Sequence, residues 1–336
     1  MLKQRRDNLS IMKAARISSP GQFEVVETDI PEISDGQCLI KLETWSACGS
    51  DIRHSFGPTL PEEEYPMKMG GPCHECAGTI VESRSAKFKE GQRVIVLPGS
   101  SGQGGLVEYM AGDEDRMALL PEEGDINELV MCQPSGTVLY ACQQMGTILG
   151  KDVVVLGQGS IGLSFTAICA RAGARKVIAV DLHDYRLEYS RRFGATHTVN
   201  ASSENVDEAV AEITGGKGTD ISVEAAGYQE TLETSMRIVG DFGKVILFGI
   251  QGGARGSRTP VDTSLFLRHL PTIIPTQGAT SGDPIAHIDT MISLRERGWW
   301  NPGEMLTHTL PFDEVQKAYE MYDNRDDNVV KVVLSS

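Results

Sequence analysis

The stretch that most constrains this chain covers residues 153–181, VVVLGQGSIGLSFTAICARAGARKVIAVD. Four apolar residues, Val153, Val154, Val155 and Leu156, run into Gly157-Gln158-Gly159-Ser160-Ile161-Gly162. A mostly apolar helical stretch follows to about Ala172, and a second β-branched run over 177–180 ends on Asp181. Strand, glycine turn, helix, strand and acid in that order predict a dinucleotide-binding unit. Gly157 permits the tight turn, and Gly159 removes a side chain where a pyrophosphate must come close. Gly162 lets the helix lie against the strand, while the first-turn amides, Ser160 and Ile161 among them, face the phosphate charge. The bland alternative is a doubly wound domain that keeps the turn and binds nothing.

Asp181 stands 19 residues after Gly162, at the end of the second strand. A carboxylate there accepts both adenosine ribose hydroxyls and repels a 2′-phosphate, so NAD is expected rather than NADP. Arg186, five residues on, reads as an adenosine-side contact or as a solvated helix residue.

With 336 residues the chain is long enough for two domains. Its formal net charge of -15 argues against a sequence-independent nucleic-acid binder and against docking on an anionic membrane. No apolar run reaches membrane-spanning length, and the basic residues of the first seven positions have no apolar segment behind them. A cytoplasmic protein is expected. Its seven cysteines are an odd count in a long chain, which points to free thiols, packed or metal-bound, rather than a disulfide scaffold. Cys38, Cys142 and Cys169 sit in apolar stretches and read as core residues.

Up to about residue 110 the pattern is short strands broken by turns, with a loop-like stretch over 48–66 and a glycine-serine loop over 98–105. Strands are expected over 77–82 and 106–110. A helix over 136–146 leads into the strand at Val153. Helices over 185–193, 206–214 and 230–238 then alternate with strands over 197–200, 221–224, 244–249 and 272–275. That alternation predicts a doubly wound parallel sheet. The tail, with helices over 288–297 and 312–322 and a strand over 329–334, is expected to return to the first domain. The fold class is therefore α/β: a doubly wound Rossmann domain over 141–278, and a strand-rich domain from both chain ends, 1–140 and 279–336.

Three segments hold metal-capable side chains: Cys48-Gly49-Ser50-Asp51, Cys73-His74-Glu75-Cys76 and Cys132-Gln133-Pro134. A catalytic zinc needs about three ligands drawn from Cys, His and carboxylate, with one position open. Cys73 and Cys76 form one C-x-x-C without a second pair, so the spacing is not that of a zinc finger, and no thioredoxin-like unit surrounds it. On these residues alone, packed thiols beside a satisfied histidine remain the alternative.

The chain resembles the medium-chain dehydrogenase/reductase family, in its zinc alcohol and polyol branch with sorbitol and threonine dehydrogenases. The C-G-[ST]-D motif stands as Cys48-Gly49-Ser50-Asp51. The G-H-E-x-x-G motif stands as residues 73–78, with Cys73 replacing the first glycine. The glycine turn with its acid, a G-x-D-x-x-x-E-x-x-G stretch from Gly218 to Gly227 and a G-K-V-x-x-x-G strand from Gly243 to Gly249 complete the match, over roughly residues 12–334. The resemblance implies a GroES-like catalytic domain, NAD and one catalytic zinc. It makes Cys48 and His74 zinc ligands and Glu75 a carboxylate beside the metal. Ser50 would begin a proton relay, Asp51 would orient a ligand, and Thr137 would pack near the nicotinamide.

Three departures from the family pattern matter. The third ligand position falls on Gln133, a neutral amide and a weak zinc ligand, with Cys132 adjacent and chemically better. Arg53 occupies the usual relay position, with His54 next to it. The loop over 98–105 has no cysteine, so no structural zinc is expected. The expected activity is NAD-dependent, zinc-assisted oxidation of a small secondary alcohol, a polyol or a polar hydroxy compound, by a homodimer or homotetramer. A zinc-free NAD(P)H-dependent reductase and an inactive nucleotide-binding protein are the alternatives.

Overall fold

The computed structural model describes residues 11–58, 60–100, 102–251, 258–278 and 281–336. The first seven positions and Ser101 of the glycine-serine loop lie outside the described residues. The chain divides into two compact units, one of residues 1–133, 288–293 and 301–336, the other of 134–287 and 294–300. Among the described residues, no helix is long and apolar enough to cross a membrane.

The first unit is strand-rich. Strands β1 (Ile11–Ser19) and β2 (Gln22–Asp29) form an antiparallel pair. A larger sheet contains β3 (Gln37–Ser46), β4 (Glu75–Ser83), β5 (Arg93–Val96), β6 (Tyr109–Asp113) and β7 (Met117–Leu119). From the carboxy-terminal segment it takes β14 (His308–Pro311) and β15 (Val332–Ser335), in the order β14-β15-β3-β4-β5-β7, with β6 also on β3. The tail thus returns to this sheet, where Val333 pairs with Ser46 and Leu334 with Trp45. Trp45 is 1% exposed and packs its ring 4.6 Å from that of Phe312. Burying an aromatic side chain of this kind contributes about 1.5–3 kcal/mol.

The stretch read as loop over 48–66 contains a one-turn helix, Gly49–Asp51, and a π-helical turn, Ile52–Phe56. Ile52 and Phe56 stand four apart and both enter the core, so burial of one face winds a segment whose composition looked irregular. The strand expected over 106–110 lies at Tyr109–Asp113, while Leu106 and Val107 are buried before it.

The second unit is a six-stranded sheet ordered β10-β9-β8-β11-β12-β13. The strands are β8 (Asp152–Leu156), β9 (Lys176–Asp181), β10 (His197–Asn200), β11 (Thr219–Glu224), β12 (Val239–Leu247) and β13 (Thr272–Pro275). Every pairing is parallel. All five β8 residues are buried, as a strand covered on both faces must be. The sheet runs outward in both directions from β8 and β11. The glycine turn therefore opens at the carboxyl end of the strand where the order switches, the place where such sheets bind ligands.

Candidate active site

Cys48 stands half-buried at the start of the one-turn helix. Its amide donates to Oδ2 of Asp51 at 3.3 Å, and the Asp51 amide donates back to the Cys48 carbonyl at 3.0 Å. The Ser50 hydroxyl donates to Sγ of Cys48 at 3.1 Å. Two sequence neighbours thus aim and polarise one sulfur.

His74 and Glu75 arrive from the start of β4, where Glu75 sits opposite Ser46 of β3. Among the described residues, Cys48, His74 and Glu75 bring one sulfur, one imidazole nitrogen and one carboxylate oxygen within 4.8 Å of one another. Asp51 stands behind them, only 3% exposed, with Oδ1 3.1 Å from Nδ1 of His74. That contact occupies Nδ1 and leaves Nε2 for a ligand, the usual division of labour in a metal-binding imidazole.

The site is strongly charged. Burial disfavours the His74 imidazolium, yet Asp51 and then Cys48 outweigh it and hold the ring well above the ordinary histidine range. Glu75, 1% exposed, has Oε2 2.8 Å from Nζ of Lys331, itself fully buried. Burial opposes the lysine charge and Glu75 overcomes it, so the ammonium is retained. Lys331 also donates to the Ala47 carbonyl at 2.7 Å. The Tyr319 hydroxyl, on the helix Val315–Asn324, donates to Oδ2 of Asp51 at 3.0 Å, and burial followed by Asp51 raises its pKa well above the phenol range.

Cys73 and Cys76 do not join the metal-capable group. They are buried, their sulfurs lie 3.6 Å apart, and Cys73 also contacts the Ser46 carbonyl. Burial, then Cys76, raises the Cys73 thiol well above its ordinary range, so it stays protonated. Cys132 is fully buried at the start of the helix Cys132–Gln144 and is outside the group as well. Gln133, next to it, is 6% exposed, and its Oε1 is buried without a hydrogen-bond partner. His54 and Arg53 lie half-buried on the π-helical turn. His54 is not among the converging donors.

In the second unit the glycine turn is built as its spacing predicts. Gly157 has φ +91°, where a side chain is strained, and a Cβ on Gly162 would strike the Gly157 carbonyl oxygen. A Cβ on Gly159 would meet nothing within 4 Å, which leaves room for a ligand at the start of the helix Ser160–Arg171. Asp181 is 8% exposed and anchors the turn: Oδ2 accepts from the Gln158 amide at 2.6 Å and Oδ1 from the His183 amide at 3.0 Å. Arg186 reaches to 3.8 Å of Asp181 and donates to the Tyr185 hydroxyl. The Thr137 hydroxyl donates to the Pro134 carbonyl at 2.7 Å, and its side chain packs where Gly278 leaves no room for a Cβ. Glu224, fully buried, accepts from the amides of Ala226 and Gly227, which accounts for the acid and last glycine of the 218–227 motif.

Sequence reading missed Lys331 and Tyr319. The lysine left one trace, a single charge inside the apolar run VVKVVL. The tyrosine left none.

Two family models match the chain, zinc-binding dehydrogenase over residues 160–294 and alcohol dehydrogenase GroES-like domain over residues 34–122. An alcohol dehydrogenase of Cupriavidus necator is 28% identical across 97% of this chain and 99% of its own length. The sorbitol dehydrogenase of Bacillus subtilis is 28% identical across 71% of this chain and 75% of its own. Among solved structures, an Escherichia coli oxidoreductase/dehydrogenase of unknown specificity superposes with a TM-score of 0.84 at 26% identity, covering 97% of this chain and 99% of that one.

Proposed function

Because the chain belongs to the zinc-type alcohol and polyol dehydrogenase family, we propose that it oxidises a secondary alcohol, a polyol or polar hydroxy compound, to the ketone with NAD and one zinc ion. The observation that carries this reading is the convergence of Cys48, His74 and Glu75 with Asp51 behind the imidazole. Thiolate, imidazole and carboxylate are the donor types of a catalytic zinc, and three of them leave a position open. The orphaned amide oxygen of Gln133 is the further candidate donor.

A bound zinc ion would lower the pKa of the substrate hydroxyl, and NAD would take up the hydride from the carbinol carbon. The chain's own residues supply the rest. Asp51 fixes the His74 tautomer and, through the Cys48 amide, the position of the sulfur. Ser50 carries a hydroxyl 3.1 Å from that sulfur and is the first proton carrier. His54 is the candidate for passing the proton outward.

Asp181 supports NAD over NADP, since its carboxylate would oppose a 2′-phosphate. The seven cysteines are all free, which suits a reducing cytoplasm. A homodimer or homotetramer is the assembly proposed, and sedimentation of the purified chain tests it.

The function is tested by metal content and by turnover of a polyol and hydroxy-acid panel with NAD and NADP. Stoichiometric zinc with chelator-sensitive, NAD-linked oxidation is the expected result. A competing reading, a zinc-free reductase, takes its support from the neutral Gln133 at the third ligand position. Full activity in metal-free protein would favour it.

A further inference from the structure

Lys331 is a costly residue to place where it is. It is fully buried in the carboxy-terminal segment, and its ammonium touches Glu75 at 2.8 Å and the Ala47 carbonyl at 2.7 Å. The Tyr322 ring lies beneath it, with its centroid 5.6 Å from Nζ. Buried ion pairs often stabilise a fold no better than apolar residues of the same volume, so stability alone is a weak reason for this one. Its position suggests another reason. Glu75 is also the carboxylate that converges on Cys48 and His74.

We propose that Lys331 is a positioning residue that competes with the metal for Glu75. Its ammonium stands 2.8 Å from Oε2, so that Glu75 offers the ion less than a full negative charge. The inference rests on the zinc reading above. Coulomb's law gives its sign: a cation bound to one oxygen lowers the basicity of the carboxylate and repels a second cation nearby. An ordinary structural partner behind a ligand acts the other way, and its loss lowers metal affinity about 10–100-fold.

The zinc affinity of the full chain, measured by competition with a chromophoric chelator, separates the two. Lys331→Met is expected to bind zinc about tenfold more tightly than wild type. In a Glu75→Gln background the same substitution should change affinity by less than about threefold. The visible spectrum of the cobalt(II)-loaded protein should shift in Lys331→Met and not in the double variant. An affinity that is unchanged or lowered in Lys331→Met, or a gain that persists without Glu75, overturns the proposal. Should Lys331→Met fail to fold, Lys331→Gln keeps a donor for the Ala47 carbonyl without the charge and gives the same comparison. A wild-type chain that takes up neither zinc nor cobalt ends the zinc reading and this inference together. Wild-type uptake without tightening in the variant ends this inference alone.

Discussion

A buried hydrogen bond of 3.0 Å joins the Tyr319 hydroxyl to Oδ2 of Asp51, 268 positions away in the chain. The other Asp51 oxygen lies 3.1 Å from Nδ1 of His74. The carboxy-terminal helix therefore reaches the candidate metal ligand through one carboxylate. Removing the hydroxyl in Tyr319→Phe leaves that buried acceptor short of a partner. The expected cost is about 1–3 kcal/mol in denaturant unfolding of the metal-free protein. Zinc affinity should fall about tenfold, because the imidazole is less firmly held. Unchanged stability and affinity together would show that Asp51 does not depend on the tyrosine.

Cys48 differs from the other six cysteines in exposure: it is half-buried, and they are buried. In metal-free protein, a disulfide reagent should therefore modify one thiol quickly and the rest only on unfolding. Cys48→Ser should abolish the fast phase, and added zinc should protect the wild type. A fast phase that survives in Cys48→Ser would assign the reactive thiol elsewhere and weaken the site as drawn.

Much of the second unit could be read from local pattern. The strands His197–Asn200 and Thr272–Pro275 and the helix Val206–Thr214 lie where turn residues and periodicity put them. The misses have local causes too. The helix Cys132–Gln144 begins before Gly136 because Pro134 falls in its first turn, where no amide bond is lost. Strand β12 begins at Val239, before the expected Lys244, because Gly240 and Gly243 look like a break and are carried through the strand. Cys48, His74 and Asp51 were legible because each sits in a short motif. Lys331 and Tyr319 were not, because they act on Glu75 and Asp51 only after the tail has paired with β3.

His74 sets the pH behaviour of the metal-free site. Its folded pKa is raised, since Asp51 and Cys48 outweigh burial. The sign follows from linkage: the protonated ring stabilises the fold fully below the unfolded histidine pKa of about 6.5. That contribution is lost as pH rises through the raised folded value. Zinc must displace this proton as well as that of the Cys48 thiol, so the histidine's share of the climb in apparent zinc affinity with pH ends when the ring is neutral. Calorimetry in buffers of different ionisation enthalpy should record proton release on binding at neutral pH. In Asp51→Asn the histidine's share should end at lower pH, because the carboxylate that favours the charged ring is gone. No proton release in the wild type would mean that His74 is already neutral or does not bind the metal.

One substitution at Asp181 can separate an observed role from a proposed one. Its carboxylate anchors the glycine turn through the amides of Gln158 and His183, and it is the proposed acceptor for the adenosine ribose. Asp181→Asn keeps an oxygen for one of those amides and removes the charge that would repel a 2′-phosphate, while Arg186 remains beside it at 3.8 Å in the wild-type arrangement. Loss of a charge-assisted bond to ribose should lower kcat/KM for NAD about tenfold, mostly through KM. The same change should raise kcat/KM for NADP, because Arg186 no longer has a carboxylate to neutralise it. Thermal stability should fall modestly, as the anchoring bonds weaken from charged to neutral. If kcat/KM falls equally for both nucleotides and stability falls with it, Asp181 acts on the turn alone and the ribose contact is wrong.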